Sequence, residues 1–367
     1  MTDRRKFIKT STTALGVTAI GLGACIDPKE KSININFEKT YKWKMTTTWP
    51  PNFPVLGEGC KMLAHWVRQM SGGRLDITVF GGGELIPALE GFDAVSNGAV
   101  EMNHGAAYYW AGKLPAAPFF TAVPFGMNAQ QMSAWIISGG GMALWEELYA
   151  PFNLKPFICG NTGVQMGGWF NKEVNSLADL HGLKMRIPGL GGKVFAKAGG
   201  TPMLVSGGEI YTNLERGVLD ATEWIGPYHD YIMGLHRVAK YYYYPGWQET
   251  GPALEMIVNK PKFESLPIDL QEILRTACYR LNGWMMAESD AKNAEYLSKI
   301  RQESDVDIRP FPKEVMDGLR KASDEVLGDL TANDPFTKRV HEHYTTFRSN
   351  LKGWMDISER YYYEEIG

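Results

Sequence analysis

The sequence predicts an α/β protein of two domains, and three observations carry that prediction. Its 367 residues exceed what one core usually organises, at roughly 100 to 200 residues per domain. Apolar residues make up 44% of the chain, with 11 Trp, 17 Tyr and 16 Phe, enough for two cores and an aromatic-lined cleft besides. Short apolar pulses alternate with stretches of helical spacing, a strand–helix rhythm that builds parallel sheets covered by helices.

The elements follow in order. Tyr41 to Met45 alternates polar and apolar residues as a strand, followed by Thr46 to Trp49 and stopped at Pro50-Pro51. Met62, Leu63, Trp66, Val67 and Met70 fall at helical spacing in a helix over Cys60 to Met70, closed by Ser71-Gly72-Gly73. Leu75 to Phe80 is a second strand, ended by Gly81-Gly82-Gly83; a helix over Pro87 to Ser96 and a short strand over Gly98 to Met102 come next. Pulses at Phe157 to Cys159, Gly167 to Phe170, Lys184 to Ile187 and Ala221 to Trp224 continue the pattern, and Ile268 to Glu288 reads as a long helix. From Phe336 the apolar residues step by three and four through Val340, Tyr344, Phe347, Leu351, Trp354 and Tyr361. That is a narrow stripe on a long helix, packed either on its own domain or on a second copy of the chain.

Both ends of the compositional reading point outside the cytoplasm. Arg4-Arg5-Lys6-Phe7-Ile8 leads into a weakly apolar run from Thr13 to Ala24, too short and too polar to span a bilayer. This is a twin-arginine export signal over residues 1–24. Leu22-Gly23-Ala24-Cys25 resembles a lipobox that would make Cys25 a lipid anchor, with ordinary cleavage nearby as the alternative. Removing residues 1–24 takes away four basic residues and one acid, so a net charge of −3 becomes −3 − 3 = −6. A mildly acidic body argues against nucleic acid as a partner. Cys60, Cys159 and Cys278 are too scattered for a disulfide framework and read as small buried apolar residues.

Familiar catalytic patterns do not fit. Gly189 to Val194 lacks the Ser or Thr after its lysine that a phosphate loop needs, and the histidines of His341-Glu342-His343 are not four apart, as a zinc-protease helix needs. The latter reads as a solvated turn. No Gly-x-Ser-x-Gly elbow occurs, and Ser206-Gly207-Gly208 reads as loop. These absences move the reading from enzyme toward binding protein.

Met185-Arg186-Ile187-Pro188-Gly189, set between Gln165 and Asp220-Ala221-Thr222-Glu223-Trp224, carries the binding chemistry. A guanidinium matches a carboxylate with two parallel hydrogen bonds, which lysine cannot do. A Glu in the same pocket repels such a ligand unless a proton or a cation lies between them. The alternative is a strand-end salt bridge.

The chain resembles the solute receptors of the tripartite ATP-independent periplasmic (TRAP) transporters over essentially its whole mature length. The residues carrying this are Gly82-Gly83-Glu84-Leu85 with Asp93-Ala94-Val95, Leu177 to Arg186, and Leu214 to Ala221. It is most similar to the branch that binds 2-oxo acids, through Gly160 to Phe170, Thr222 to Tyr228 and Tyr241 to Trp247. The resemblance implies a periplasmic-binding-protein-like fold with a hinged cleft, a long connecting helix and a long C-terminal helix. Its parts would be a lipid-anchor linker over 25–40, domain I over 41–160 with 252–282, domain II over 161–251 with 283–335, and a helix over 336–367. It implies a small 2-oxo acid such as pyruvate as ligand, a 2-hydroxy acid such as lactate as the alternative, and membrane subunits of a TRAP transporter as partners. By motif, Arg186 would hold the carboxylate, while Gln165, Glu223, the Trp224 carbonyl and Glu249 would hold a cation touching the ligand. Oxygen ligands suit sodium or calcium, and the charge balance leaves the two open. Tyr108 and Tyr109 would bound the ligand tail, and Asn161 is either a ligand contact or a turn residue. The Tyr241 to Tyr244 run reads as strand and hinge packing. A metal-dependent periplasmic enzyme acting on 2-oxo acids is the reading from another class, and a dicarboxylate or sialic acid receptor would give no reason for paired Glu223 and Glu249.

Overall fold

The computed structural model describes residues 38–367; the expected signal, Cys25 and the lead-in up to Phe37 lie outside them. In chain order the elements are β1 (Tyr41–Thr47), α1 (Leu56–Met70), β2 (Leu75–Phe80), α2 (Gly91–Ser96), β3 (Met102–Gly105), α3 (Ala129–Ile137), α4 (Gly141–Tyr149) and β4 (Leu154–Asn161). Then come β5 (Gly168–Phe170), β6 (Lys184–Arg186), α5 (Gly189–Lys197), β7 (Thr201–Met203), α6 (Ile210–Glu215), β8 (Ala221–Thr222), α7 (Pro227–Ile232) and β9 (Tyr241–Tyr244). The chain closes with β10 (Ala253–Asn259), α8 (Lys260–Glu264), α9 (Ile268–Glu303), β11 (Asp307–Pro310), α10 (Lys313–Asn333), α11 (Pro335–Ile357) and α12 (Glu359–Glu365).

The strands form two sheets, ordered β2-β1-β3-β10-β4 and β11-β9-β5-β8-β6-β7. The first draws on 41–161 and 253–259, the second on 168–244 and 307–310, so the chain passes between them at 161–168, 244–253 and through α9. At 1.5 Å per residue, the 36 residues of α9 reach about 54 Å. Leu270, Leu274, Ala277, Cys278, Leu281 and Met285 are buried, and all lie in its N-terminal half. No described helix is long and apolar enough to cross a membrane.

The parallel-sheet expectation holds for only part of each sheet, and β9 also pairs in parallel with β11. β1 pairs in parallel with β2 and β3, and β6 with β7 and β8, but β10 runs antiparallel to β3 and β4, and β5 antiparallel to β8 and β9. The antiparallel pairings fall where the chain crosses between sheets and enters its neighbour from the opposite end.

Boundaries move where local signals compete. α1 starts at Leu56, earlier than its apolar spacing suggested, and ends where Gly72 and Gly73 take φ of +60° and +82°, conformations that stop a helix at little steric cost. α2 keeps only the last six residues of the helix expected from Pro87. The strand expected over Gly98 to Met102 begins only at Met102, because Gly98 turns the chain at φ +79°. α9 runs fifteen residues beyond Glu288, to Glu303.

The C-terminal helix is two helices, broken at Ser358. Val340 and Tyr344 are buried in their own chain's core, whereas Trp354, Ile357 and Tyr363 are 61%, 72% and 73% exposed. The stripe therefore packs at home at one end only. His341 and His343 are not a solvated turn either: Trp135 Nε1 donates to His343 Nδ1 at 3.0 Å, and His341 packs edge-on to Phe119. Cys60, Cys159 and Cys278 sit unpaired in one buried cluster, where burial pushes the Cys60 thiol well up.

Candidate functional site

Four strand ends meet at one small cavity. β1 runs out into Trp49, and β3 runs into a tight turn, Ala107–Trp110, that presents Tyr108 and Tyr109. β6 ends on Arg186 and β8 leads into Glu223 and Trp224. Ligands in α/β folds collect at such carboxyl ends. The cavity is lined by Trp49, Leu56, Tyr108, Tyr109, Thr162, Gln165, Arg186, Trp224, Ile225 and Leu254. Its free space for water-sized centres is only about 10 Å³, near the least that holds one water. A ligand must therefore be small, or the walls must part.

The two sheets touch across this cavity. Gly189, at φ +62°, turns the chain from β6 into α5, and a Cβ there would stand 2.8 Å from that of Tyr108. Glycine satisfies both demands at once. Beside it, Arg186 Nη2 donates to the Tyr109 hydroxyl at 3.3 Å.

Arg186 is 1% exposed and ion-paired through Nη1 to Glu223 Oε1. Nη1 also reaches the Glu223 carbonyl, and Nε the Val205 carbonyl, both at 3.4 Å. The guanidinium thus spends one edge on Glu223, which leaves Nη2, not the whole fork, facing the cavity side. Burial alone would lower its pKa; Glu223, the two tyrosines and Glu249 hold it above the ordinary value.

Glu249 lies on the loop between β9 and β10, where Gln165 Nε2 donates to its Oε2 at 2.8 Å. Main-chain bonds from Gln165 N to the Glu249 carbonyl and from Gly246 N to the Gln165 carbonyl, 3.2 and 2.9 Å, fasten the two loops together. Burial, and then the neighbouring Glu223, push the Glu249 carboxyl well above the ordinary range. Glu223 is raised by burial as well, but it touches the guanidinium. One arginine cannot neutralise two buried carboxylates. Glu223 takes the ionised role, and Glu249 needs a proton or a cation.

The polar atoms left over fit a cation. Gln165 Oε1 and Glu223 Oε2 are buried without a hydrogen-bond partner, a situation that usually carries an explanation. Together with a Glu249 carboxylate and a main-chain carbonyl, these are hard oxygen donors of the kind sodium and calcium take. Among the described residues no group of three or more His, Cys, Asp or Glu side chains is placed to hold a metal ion, and the donors available at this cavity are two carboxylates, an amide and a carbonyl.

Of the residues singled out from sequence, Arg186, Gln165, Trp224, Tyr108 and Tyr109 line the cavity, and Glu223 and Glu249 contact that lining from behind. Asn161 does not join them. Its Oδ1 accepts from Gly163 N at 2.8 Å and its Nδ2 donates to the Gly251 carbonyl, which makes it a turn residue. Tyr242 and Tyr243 are buried in the second sheet, away from the lining. Trp49, Leu56, Thr162, Ile225 and Leu254 escaped the sequence reading. Trp49, directly after a parallel strand, was accessible through the strand-end rule.

Two further buried carboxylates stand close by without a cationic partner. Asp230 accepts from Trp169 Nε1 and the Tyr242 hydroxyl at 2.9 and 2.7 Å, and burial raises its pKa to about 6. Glu255 accepts from Trp110 Nε1 and the Tyr149 hydroxyl at 2.6 and 2.9 Å, and burial raises it to about 7. Trp49 itself is fixed by His104, whose Nδ1 accepts the indole N–H at 2.7 Å while burial lowers the imidazole to about 4 and keeps it neutral.

Comparison with known proteins follows the same lines. The sequence pattern of the bacterial extracellular solute-binding proteins, family 7, matches residues 45–334. A monocarboxylate 2-oxoacid-binding periplasmic protein of Nostoc sp. is 42% identical over 98% of this chain and 97% of its own. A TRAP periplasmic solute-binding protein of Pseudoalteromonas atlantica T6c, with bound sodium and pyruvate, has a TM-score of 0.87 at 43% identity, covering 90% of this chain and 100% of that one. Its counterpart from Colwellia psychrerythraea, with bound calcium and pyruvate, also has a TM-score of 0.87 at 43% identity, covering 89% and 100%. The chain belongs to the family 7 bacterial extracellular solute-binding proteins and is a periplasmic solute receptor of a TRAP transporter, not an enzyme.

Proposed function

We propose that this receptor binds a small 2-oxo acid such as pyruvate together with a hard cation, and delivers it to the transporter's membrane subunits. The observation that carries this is the pair of unpartnered oxygens, Gln165 Oε1 and Glu223 Oε2, next to a buried arginine at a small cavity. Arg186 offers Nη2 to the ligand carboxylate. Gln165, Glu223, Glu249 and the Trp224 carbonyl hold the cation, which bridges to the carboxylate and the 2-oxygen. Tyr108, Tyr109 and Trp49 close the far wall. Pyruvate bound beside sodium in one similar structure and calcium in another supports both the ligand class and either ion. Native mass spectrometry of the purified protein, with and without exhaustive chelation and desalting, tests it. A bound mass of one small 2-oxo acid plus one cation is expected, and pyruvate binding that survives complete cation removal would end the bridging reading.

The lobes we assign are 41–160 with 252–282 and 161–251 with 283–335, supported by the segments that supply each sheet. Export by the twin-arginine route and lipidation at Cys25 rest on the sequence alone. A homodimer through the distal C-terminal helices is supported by the exposed Trp354, Ile357, Tyr361 and Tyr363, since soluble monomers avoid large apolar patches. Trp354→Asp should then give folded monomers that still bind ligand. Light scattering that finds the unmutated protein monomeric at high micromolar concentration would end this assignment.

A further inference from the structure

We infer that Asp230 aims the Trp224 carbonyl at the cation, and so sets cation affinity without touching ligand or ion. This rests on the reading above that the Trp224 carbonyl is a cation ligand. Asp230 sits on α7, 1% exposed, and its partners are neutral N–H and O–H donors. One oxygen, Oδ2, is anchored to the second sheet by Trp169 on β5 and Tyr242 on β9, whose rings stack with centroids 3.9 Å apart. The other, Oδ1, accepts the main-chain N–H of Ile225 at 3.2 Å.

That N–H belongs to the same planar peptide unit as the Trp224 carbonyl. In a trans peptide the two point in opposite directions, so the bond that draws the N–H toward Asp230 turns the carbonyl away from it. The neighbouring units are pinned as well: Met166 N donates to the Ile225 carbonyl at 3.0 Å, and the Glu223 carbonyl accepts from Thr222 Oγ1 at 2.9 Å. A rigid, sheet-anchored acceptor on one side and a fixed backbone on the other leave the Trp224 carbonyl one direction. Residues that orient a metal ligand in this way typically change metal affinity about 10- to 100-fold when altered.

Asp230→Asn is a sharp test because neither N–H partner can reverse. Trp169 Nε1 addresses one oxygen and Ile225 N the other, so either flip of the amide sets its NH₂ against an N–H donor. Adding Trp169→Phe removes one donor. The amide oxygen can then take the Ile225 N–H, while its NH₂ faces the Tyr242 hydroxyl, which is able to accept. Pyruvate binding is titrated calorimetrically against calcium in sodium-free buffer. For Asp230→Asn the half-saturating calcium concentration should rise about tenfold or more, with pyruvate affinity restored at saturating calcium. In Asp230→Asn/Trp169→Phe it should return toward the unmutated value, although a merely structural role predicts further loss. If the single variant does not fold, the double variant alone decides: calcium half-saturation well above the unmutated value overturns the inference. So does a folded Asp230→Asn with unchanged half-saturation. Calcium-independent binding by the unmutated protein would overturn the cation site and this inference together, whereas the preceding outcomes overturn this inference alone.

Discussion

The first sheet meets the cavity with rings and the second meets it with charge. Trp49, Tyr108 and Tyr109 come from the ends of β1 and β3, while Arg186 and Glu223 come from the ends of β6 and β8. The charged side is held by charge-assisted bonds inside one sheet, chiefly the Arg186–Glu223 pair. The aromatic side is held by neutral contacts, such as the indole of Trp49 on His104. Each sheet also buries one carboxylate in the grip of a Trp and a Tyr, Glu255 in the first and Asp230 in the second. On the proposed reading the charged half fixes the ligand's carboxylate, while the neutral half adjusts and excludes water. Affinity should therefore fall steeply when the second sheet is altered and gently when the first is.

The largest loss is expected from Arg186→Lys. A lysine keeps the charge but cannot serve Glu223, its carbonyl and the ligand at once, and pyruvate binding should weaken by about 2–4 kcal/mol. Titration calorimetry showing an unchanged dissociation constant would remove Arg186 from the ligand's carboxylate. Next comes Glu249→Gln, which removes one negative charge from the cation's proposed oxygen donors in the same charged half. Calcium and pyruvate affinities should fall together, each by about tenfold or more, because a bridging ion makes the two binding free energies reciprocal. A variant that loses one affinity and keeps the other breaks the bridge.

Much of this division was legible before the fold. Arg186, Gln165 and Glu223 drew notice as an arginine set among amide and acidic oxygens, whereas Glu249 and the cation-binding roles came from the family resemblance alone. Leu75 to Phe80 and the start of β1 at Tyr41 were legible because strict alternation near turn signals leaves little choice. The aromatic half was only partly legible. Trp49 and Leu56 look like core residues, and only the convergence of strand ends makes them walls. Asn161 was open between two readings, since a side chain that ties a turn and one that contacts a ligand use the same atoms, and only the fold shows its bonds to Gly163 and Gly251. The antiparallel pairings of β5 and β10 depend on how the chain returns between sheets, which local spacing does not encode. The share of the C-terminal stripe kept at home, Val340 and Tyr344 but not Trp354, depends on where the first core ends.

Tyr109→Phe tests the aromatic half directly. It removes a hydroxyl that accepts from Arg186 at 3.3 Å while leaving the ring against Trp49 and Tyr108. The contact is long, and a typical hydrogen bond contributes about 1 kcal/mol, so pyruvate affinity should change by no more than about fivefold. A loss as large as that of Arg186→Lys would mean that the first sheet carries charge recognition too, and the contrast between the sheets would collapse.

Glu255→Gln should leave ligand affinity unchanged and alter only stability against pH. The carboxyl is raised from near 4.5 to about 7 by burial. Between those values the folded protein holds a proton that the unfolded chain has released, so stability falls as pH rises through that window and levels off above it. The contribution is fully present below about pH 4.5 and lost above about pH 7. A glutamine can satisfy both partners, because its oxygen takes the Trp110 N–H while the Tyr149 hydroxyl reverses to accept its NH₂. The Asp230 site lacks that freedom, since both of its oxygens face N–H donors. Thermal melts of the two proteins from pH 4.5 to 8 should therefore converge or cross in favour of Glu255→Gln as pH rises, with the unmutated protein relatively best in acid. A melting difference that is flat across the window would mean that Glu255 titrates alike in the folded and unfolded chain. A fall in pyruvate affinity would mean that Trp110, one residue after Tyr109, transmits its anchoring to the cavity wall, making the neutral half as stiff as the charged one.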